Sequence, residues 1–419
     1  MNRLVEMSFI ACIFLSLNSI PLGFIDFYYY YVVVIISFPI LFFLYRQFDK
    51  WLLIGFFYLF SVGLFNVFLG NNEFSQFIKV YIGALVFFLL YYFIIKYKNF
   101  NLWYLFRLYY QFAVFHACIG LIQFVSYLVG FKFGYDFSWF GARTMKPDEI
   151  VGLLVYPIHA LVSEPAAFVI VQSAAMYFAI GRFVKSNSAK IGSYADALII
   201  ISTFILSLSS TGYFALIIIL LLLFSKQLNY KRILTGCIVL PGMIFLLYTS
   251  VPKFQERFNT MFLLMAGRIY VDATYGEDAA GSSLILVNHF LIAKENAENH
   301  FLGTGLGSHH VAFRRYNKLE AWFTGYGPHS MLLNENDASS LFNRILSEMG
   351  YIGVLAVLIF LFKFYNKKES IPWISINHAS LVVILTVLLR GGHYFILGLP
   401  FFILSYYYSS KLSNINSSH

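Results

Sequence analysis

The sequence predicts an all-α protein that crosses a membrane about twelve times and carries a large polar loop on one side. Composition is the first observation: the chain has 419 residues, of which 59% are hydrophobic and only 12% charged, whereas soluble domains are near a quarter charged. Second, apolar runs of about twenty residues recur along the chain, and each is long enough to cross the hydrocarbon core as a helix. Third, these runs do not alternate polar and apolar residues, as the strands of a barrel would.

The predicted spans follow these apolar runs in order along the chain. The run at 4–22 has the length of a signal peptide. No small-residue cleavage site follows it and 27–45 re-enters the membrane, so we interpret both as spans. The pair 195–209 and 211–225 is short and closely spaced, which leaves two tilted helices or one kinked pair open. The other predicted spans are 51–69, 75–95, 103–130, 165–183, 233–251, 341–362, 374–390 and 394–410.

Charge predicts the orientation of these spans. The two chain ends and alternate connections hold sixteen basic and four acidic residues, whereas the other side holds thirteen basic and sixteen acidic residues. Positive residues accumulate on the cytoplasmic side, so both termini are predicted to be cytoplasmic. The net charge of +9 therefore reflects topology and does not indicate a nucleic-acid partner. The predicted regions are helices one to five (1–130), an outer loop (131–164), helices six to nine (165–251), a large outer loop (252–340) and helices ten to twelve (341–419).

The large outer loop concentrates the reactive side chains. Residues 252–340 carry seven Lys/Arg, nine Asp/Glu and five of the ten histidines. Within the loop, Ser282–Asn299 is amphipathic, with Leu284, Val287 and Leu291 on its apolar face. We expect this stretch to lie along the membrane surface or against the spans. The chemistry of the protein is therefore expected on the outer side.

Several outer-side cations are candidate ligands for phosphate. The planar guanidinium of arginine donates two parallel hydrogen bonds, which suits a phosphate group. The alternatives are contact with lipid head groups, pairing with local carboxylates such as Glu256, Asp272 or Glu320, or snorkelling in the case of the lysine. The candidates are Arg143, Arg268, Arg314, Arg315 and Lys79.

A glycine-rich turn and three histidines follow the amphipathic stretch. The glycines of 303–307 predict a flexible turn or an anion-binding nest of backbone N–H groups. His309, His310 and His329 are candidates for a general base or for binding, with an ordinary exposed loop histidine as the alternative. The histidines lack HxxxH and HExxH spacing, so no metal is expected.

Charged residues at the ends of the spans form a second group of candidates. Glu164 precedes Pro165 at the start of a predicted helix, where an acidic residue favours the helix dipole. It is therefore either a functional acid or a residue that stabilises the helix terminus. Arg344 and Glu348 are four residues apart, which predicts an ion pair on one helix face.

Five segments, in order along the chain, resemble the O-antigen polymerases of the Wzy type, in the superfamily that includes the O-antigen ligases. The segments are SEPAAF (163–168), LSLSSTGYFA (206–215), Gly267–Arg268, FLGTGLGS (301–308) and SSLFNRILSEMGYIG (339–353). The ligases carry a histidine motif where the outer loop re-enters the membrane. Aligned on Gly350, that histidine position is Ser339 here, and His329 matches only the first half of the motif. The resemblance therefore favours a polymerase over a ligase.

The resemblance implies a GT-C-like glycosyltransferase of the bacterial inner membrane that joins oligosaccharide repeat units in lipopolysaccharide biosynthesis. Donor and acceptor are both expected to be glycans on undecaprenyl diphosphate, surrounded by membrane lipid, and a chain-length regulator is a further expected partner. An O-antigen ligase or another surface-polysaccharide polymerase is the alternative of the same class. A flippase or transporter for lipid-linked sugars is the alternative of another class.

The resemblance also implies roles for the candidate residues. A leaving diphosphate needs fixed cations, and the acceptor hydroxyl needs a base. The expected diphosphate ligands are Arg268, Arg314 and Arg143 in that order, with Arg315, His309 and Lys79 as further binding residues. Glu164 is the first choice of base and His329 the second. No metal or other cofactor is expected.

Overall fold

The computed structural model describes residues 1–21, 26–45, 48–150, 153–184, 189–224, 279–317, 334–366 and 371–416, with seven single residues between 242 and 259. The helices are α1 (Asn2–Phe14), α2 (Tyr30–Leu44), α3 (Lys50–Phe68), α4 (Phe74–Tyr97), α5 (Leu102–Leu128), α6 (Lys132–Tyr135), α7 (Pro165–Phe183), α8 (Tyr194–Leu206), α9 (Ser210–Phe224), α10 (Ala279–Asn299), α11 (His309–Tyr316), α12 (Leu341–Lys363), α13 (Trp373–Leu389) and α14 (Leu399–Asn416). Two short antiparallel hairpins pair β1 (Ser19–Pro21) with β2 (Asp26–Tyr28) and β3 (Asp148–Ile150) with β4 (Leu153–Val155).

The described chain is predominantly helical, as predicted. Five helices, α3, α4, α5, α7 and α12, are long and apolar enough to cross a membrane. Four further apolar helices, α2, α8, α9 and α13, are shorter. These helices indicate a membrane protein. The predicted span at 233–251 lies outside the described residues, so the number of spans stays a prediction.

The start of α1 and the second half of α14 lie at one end of the helical bundle, which we call the terminal end. Lys98 Nζ, between α4 and α5, donates a hydrogen bond of 2.7 Å to Glu6 Oε1 in α1. The ring of Phe100 lies 5.0 Å from that of Tyr408, at the start of the second half of α14. The start of α1 and the second half of α14 are therefore both beside the α4–α5 connection.

The opposite end, which we call the loop end, gathers the connection from α1 to α2, the α5–α7 connection and the turn before α14. Asn18 Nδ2 donates to the carbonyl oxygens of Phe140 (3.1 Å) and Leu161 (2.6 Å). The Leu397 N–H donates to Ser16 Oγ at 2.9 Å. These bonds satisfy polar groups that apolar surroundings would otherwise leave unpaired.

The boundaries of the first and last predicted spans are wrong, and the pair at 195–225 is resolved. Helix α1 ends at Phe14 instead of 22, because Ser16 and Asn18 bond to loop-end carbonyl and amide groups outside the helix. Helix α14 begins at Leu399 instead of 394, because Gly398 has a left-handed φ of 72° just before it. The pair forms two helices, α8 and α9, which a left-handed Leu208 (φ 52°) helps to separate.

Helix α7 lies at the centre of the bundle, with 78% of its most apolar window buried, compared with 17% for α3. Small residues let neighbouring helices approach closely where apolar solvent supplies little driving force. Helix α7 packs against α8, α9 and α13, and its buried small residues include Ala167, Ala174, Ala175, Ala179 and Gly181. This packing fixes the loop-end start of α7, where Glu164 lies.

The amphipathic stretch predicted at 282–299 lies within α10, which packs against α12 and α11. Asn343 Nδ2 in α12 donates to the Leu286 carbonyl oxygen at 3.2 Å. Asn296 Nδ2 in α10 donates to the Ser347 carbonyl oxygen at 2.9 Å. The prediction of packing against the spans is therefore confirmed, since polar bonds join α10 to α12.

The turn between α10 and α11 is held by three glycines with positive φ, each beside a different helix. Gly303, Gly305 and Gly307 have φ of 75°, 88° and 79°. A Cβ at these positions would meet the backbone of α12, α3 and α4, respectively. The turn is buried, and its Gly305 N–H donates to the Glu348 carbonyl oxygen at 2.8 Å. The plain-turn alternative is therefore correct, and the anion-nest alternative is wrong because the turn is packed between helices.

Candidate functional site

The loop end brings together charged residues from five parts of the chain. We divide them into three sets. The loop pair is Arg143 and Glu164, the Glu73 set is Glu73, His310, Arg314 and Glu335, and the hairpin set is Lys79, Asp337, Arg344, Glu348, His393 and Tyr394.

In the loop pair, the two side chains predicted from the α5–α7 connection contact each other. Arg143 Nη1 lies 3.4 Å from Glu164 Oε2, and the Arg143 side chain retains 76% of its exposure. The Arg143 N–H also donates to the Ser163 carbonyl oxygen at 2.9 Å. Glu164 is the residue that precedes the first turn of α7, but in the described chain its carboxylate makes no capping hydrogen bond. Its carboxylate is therefore directed at Arg143, and Arg143 keeps most of its surface for another ligand.

A buried amide–imidazole network holds the loop that leads to Glu164. Gln123 Oε1, in α5, accepts hydrogen bonds from the N–H groups of His159 (3.0 Å) and Ala160 (2.9 Å). Burial lowers the pKa of His159 to about 4, so its ring is neutral at physiological pH. With Nδ1 protonated, the ring donates to the Val162 carbonyl oxygen at 2.9 Å and its Nε2 accepts from Gln123 Nε2 at 3.0 Å. The network therefore holds the loop structurally.

In the Glu73 set, two carboxylates hold Arg314. Arg314 Nε lies 2.8 Å from Glu335 Oε1, and its Nη1 lies 3.0 Å from Glu73 Oε1. His310 Nε2 lies 3.2 Å from Glu73 Oε2, and its Nδ1 lies 2.8 Å from the Gly307 carbonyl oxygen. Arg314 is thus paired with local carboxylates, although with different ones from those the sequence suggested. Its charge is already compensated before any ligand arrives.

The buried part of the hairpin set joins α12 to the segment between α13 and α14. Arg344 Nε donates to Glu348 Oε1 at 2.9 Å, which confirms the predicted ion pair, and both side chains are at least 97% buried. Arg344 Nη1 donates to the Gly392 carbonyl oxygen at 2.6 Å. Tyr394 Oη donates to Glu348 Oε2 at 2.8 Å. The charges therefore satisfy each other, as buried charges must.

The accessible part of the hairpin set lies above this ion pair. His393 Nε2 lies 3.6 Å from Asp337 Oδ2, with side-chain exposures of 39% and 26%. Burial among protein atoms lowers the pKa of His393. Asp337 opposes this effect, and the positive charges of Arg344 and Lys79 add to it. Lys79, an exposed residue near the start of α4, therefore belongs to this set.

The backbone beneath Asp337 and His393 is tightly constrained. Ser339 has a φ of 62°, a left-handed conformation that a residue with a side chain adopts at a cost. Its carbonyl oxygen accepts from the Gly391 N–H at 3.3 Å, and Ser340 forms a parallel bridge with Gly391. A Cβ at Gly392 would clash with the Asp337 carbonyl group. The two chain segments therefore hold Asp337 and His393 side by side.

His309, a predicted binding residue, is fully buried and is not an exposed loop histidine. Its Nε2 lies 2.9 Å from His289 Nδ1 in α10. Burial lowers the pKa of His309 well below its usual range, and the neighbouring His289 and Arg344 lower it further. The prediction that His309 contacts substrate is not supported by this position, because the side chain packs inside the α10–α11–α12 contact.

Several loop-end cations, Lys79, Arg315 and Arg390 among them, have no ion pair with a described carboxylate. Lys79 and Arg315 are exposed and Arg390 is half-buried, and none of them forms an ion pair within the part of the chain that the structure describes. Arg143 joins them as a cation with one long contact. The predicted diphosphate ligand Arg268 and the predicted base His329 lie outside the described residues.

The sequence identified most of the charged residues of the site but not the residues that they contact. His393 was recognisable as a titratable residue in an outer turn, but its contact with Asp337 joins positions 56 residues apart. Glu73 and Glu335 carried no motif, and only the fold brings them to Arg314. Among the described residues, no group of three or more His, Cys, Asp or Glu side chains could hold a metal ion.

Comparison with known proteins assigns the chain to no family. No protein-family model matches the chain, and no curated protein sequence matches it either.

Proposed function

We propose that the protein is a membrane glycosyltransferase that polymerises lipid-linked oligosaccharide repeat units at the loop end, in the manner of an O-antigen polymerase. The observation that carries this proposal is the group of cations at the loop end, Lys79, Arg143, Arg315 and Arg390, whose charges are not neutralised by short ion pairs with described carboxylates. Such a group suits a polyanionic leaving group. The five sequence segments that resemble the O-antigen polymerases, in the same order, support this particular class of glycosyltransferase.

In the proposed reaction, a hydroxyl of one undecaprenyl-diphosphate-linked repeat unit attacks the anomeric carbon of the growing glycan on a second undecaprenyl diphosphate. The bond from that carbon to the diphosphate oxygen breaks, and negative charge develops on the leaving diphosphate. Fixed cations stabilise charge that develops in the transition state. Lys79, Arg143 and Arg315 are the residues that we assign to this task, with Arg268 as a further ligand.

Arg314 receives a different role in this proposal. It already pairs with Glu73 and Glu335 at 3.0 and 2.8 Å, so a diphosphate would have to compete with two carboxylates. We assign Arg314 to holding α11 against the start of α4. Its neighbour Arg315 has no described carboxylate partner and is the diphosphate ligand of α11.

The proposed orientation places the loop end in the periplasm and both termini in the cytoplasm of a bacterium. The excess of basic residues at the terminal-end connections supports it, since positive residues accumulate on the cytoplasmic side. Undecaprenyl-diphosphate-linked repeat units would then meet the loop-end cations at the outer membrane boundary. The other proposed partners are the membrane lipid and a protein that regulates chain length.

Deletion of the gene tests the proposal. We expect lipopolysaccharide with a single repeat unit, and a ladder restored by the wild-type gene on a plasmid. Loss of even the first unit would contradict polymerisation and favour a ligase or a flippase. An unchanged ladder would contradict all three. A strain that lacks the ligase is the matched control, because it accumulates lipid-linked polymer instead of a single unit.

A further inference from the structure

We infer that His393 accepts the proton of the attacking hydroxyl, with Asp337 as the carboxylate that positions it. This inference rests on the proposed function and assigns its general base. The structural support is the hairpin set: an accessible imidazole 3.6 Å from a carboxylate, on a rigid frame, beside cations that suit a diphosphate.

The frame holds His393 in place from three directions. On one side, Gly392 packs directly on Asp337, and its carbonyl oxygen accepts a hydrogen bond from Arg344 Nη1. On the next, Tyr394 is anchored to Glu348 at 2.8 Å. On the third, Phe395 stacks on Phe87 in α4 at 5.5 Å with an interplanar angle of 8°. A catalytic base needs such fixed geometry, because misplacement of reacting groups costs rate.

Burial and two of the charges that face His393 keep the imidazole in its proton-accepting form. Asp337 is the negative group next to it, and Arg344 from α12 and Lys79 from α4 are the positive groups. Burial among protein atoms is the largest effect and the two cations add to it, so that together they outweigh the carboxylate and the pKa of His393 lies below its usual range. The ring is therefore neutral at physiological pH, as a general base must be before it accepts a proton.

The other described candidates fit the role less well. Glu164 has one carboxylate oxygen 3.4 Å from Arg143 Nη1, so its carboxylate already contacts a cation. His309 is fully buried. His310 has a side chain that is 2% exposed, and its two ring nitrogens contact Glu73 and the Gly307 carbonyl oxygen. His393 combines exposure with a carboxylate partner.

The step transfers one glycosyl group to the acceptor oxygen and one proton to His393. The acceptor oxygen forms a bond to the anomeric carbon while its proton moves to the free ring nitrogen, Nδ1, of His393. The bond between the anomeric carbon and the diphosphate breaks, and the electron pair leaves with undecaprenyl diphosphate. The resulting imidazolium is stabilised by Asp337 and later loses its proton to water.

The test uses the purified full-length protein in lipid vesicles, with undecaprenyl-diphosphate-linked glycans extracted from a strain that lacks the gene. We expect His393→Ala to lower kcat about 100-fold or more with little change in KM, as loss of a general base does. His300→Ala is the matched control, because this loop-end histidine is half-buried and lies outside the proposed machinery. Its turnover should equal that of the wild type.

Two further measurements separate catalysis from folding. Added imidazole should restore part of the turnover of His393→Ala, and His393→Gln should keep the wild-type melting temperature while it stays inactive. In the wild type, kcat/KM should rise with pH through the pKa of His393. Asp337→Asn should shift this rise to lower pH, because Asp337 raises that pKa.

The outcomes are distinguishable. If the wild type forms no polymer from these glycans, the proposed function is wrong and the assignment of His393 is wrong with it. If the wild type polymerises and His393→Gln retains turnover within about threefold, the function stands and the assignment is overturned. An inactive His393→Ala that imidazole rescues supports both.

Discussion

Tyr394 donates a hydrogen bond of 2.8 Å to Glu348, and this bond connects the segment between α13 and α14 to the buried ion pair of α12. Both residues are buried, with Glu348 fully buried. The ion pair alone would leave Glu348 Oε2 without a donor in an apolar environment. The hydrogen bond therefore stabilises the buried charge and positions the neighbouring His393.

Removal of this hydrogen bond is expected to destabilise the fold. Tyr394→Phe keeps the ring and leaves Glu348 Oε2 unpaired, which costs about 1–3 kcal/mol for a buried acceptor. The melting temperature in detergent should fall accordingly. Tyr351→Phe is the control, because Tyr351 is exposed. This variant should have the melting temperature of the wild type. Equal melting temperatures for both variants would contradict the role of the Tyr394 bond.

The glycine turn supplies a second prediction about stability. Gly303→Ala places a methyl group against the backbone of Glu348 at a φ of 75°, so both sterics and backbone strain oppose it. Gly55→Ala in α3 is the matched control, because a Cβ there meets nothing within 4 Å and alanine favours the helix. We expect Gly303→Ala to lower the melting temperature and Gly55→Ala to leave it equal or raise it. The reverse order would show that the turn is not packed as described.

Local patterns in the sequence predicted part of this site, and distant contacts account for what they missed. The ion pair of Arg344 and Glu348 follows from a spacing of four residues on one helix. Composition and apolar runs predicted the helices, because each run is local. By contrast, Arg314 meets Glu73 across 241 positions, and no local pattern encodes such a pairing. The early end of α1 was missed for the same reason, since Asn18 bonds to Leu161 across 143 positions.

The neighbouring arginines of α11 provide a matched pair for the diphosphate assignment. Arg315 has no described carboxylate partner, whereas Arg314 pairs with two. Arg315→Gln should therefore raise KM for lipid-linked glycan about tenfold, which is the loss of one charge-assisted contact of roughly 1.4 kcal/mol, and should leave the melting temperature unchanged. Arg314→Gln should lower the melting temperature, because Glu73 and Glu335 then repel each other without a cation between them.

The assignment of the two arginines would be wrong if their effects were exchanged. A normal KM in Arg315→Gln with a raised KM in Arg314→Gln would make Arg314 the ligand of the diphosphate. Lys294→Gln is a suitable control for charge loss alone, since Lys294 is an exposed residue of α10 paired only loosely with Glu298 at 3.7 Å. It should leave both KM and melting temperature near the wild-type values.

The loop pair is expected to matter for activity and little for stability. Exposed ion pairs contribute about 0–1 kcal/mol, and the Arg143 side chain is 76% exposed with a contact of 3.4 Å. Arg143→Gln and Glu164→Gln should therefore both melt like the wild type. Arg143→Gln should also raise KM for lipid-linked glycan several-fold. The exchanged double variant, Arg143→Glu with Glu164→Arg, should restore the ion pair but not the wild-type KM for lipid-linked glycan. A wild-type KM in this double variant would show that the pair acts only structurally.

An aromatic surface at the loop end predicts where the membrane boundary lies. The rings of Phe133 and Trp139 stack at 5.2 Å with an interplanar angle of 4°, although both side chains are more than half exposed. The last turns of α5, which precede these rings in the chain, also expose apolar side chains, among them Ile122, Val125 and Leu128. Exposed aromatic rings at the end of a lipid-facing stripe are typical of the membrane–water interface. We therefore expect Trp139 to lie among the lipid head groups.

Fluorescence quenching in vesicles measures this position directly. The test variant keeps only Trp139, and its other tryptophans are changed to Phe: Trp51, Trp103, Trp322 and Trp373. Lipids brominated near the head group should quench its fluorescence more than lipids brominated near the chain end. A variant that keeps only Trp103 is the control, because its ring packs against Phe178 and Arg107 and should be quenched less by either lipid. Quenching of Trp139 by aqueous acrylamide without quenching by brominated lipid would place the loop away from the bilayer. The outer boundary would then lie deeper along α5, and Arg143 would stand too far from the membrane surface to meet a lipid-linked diphosphate.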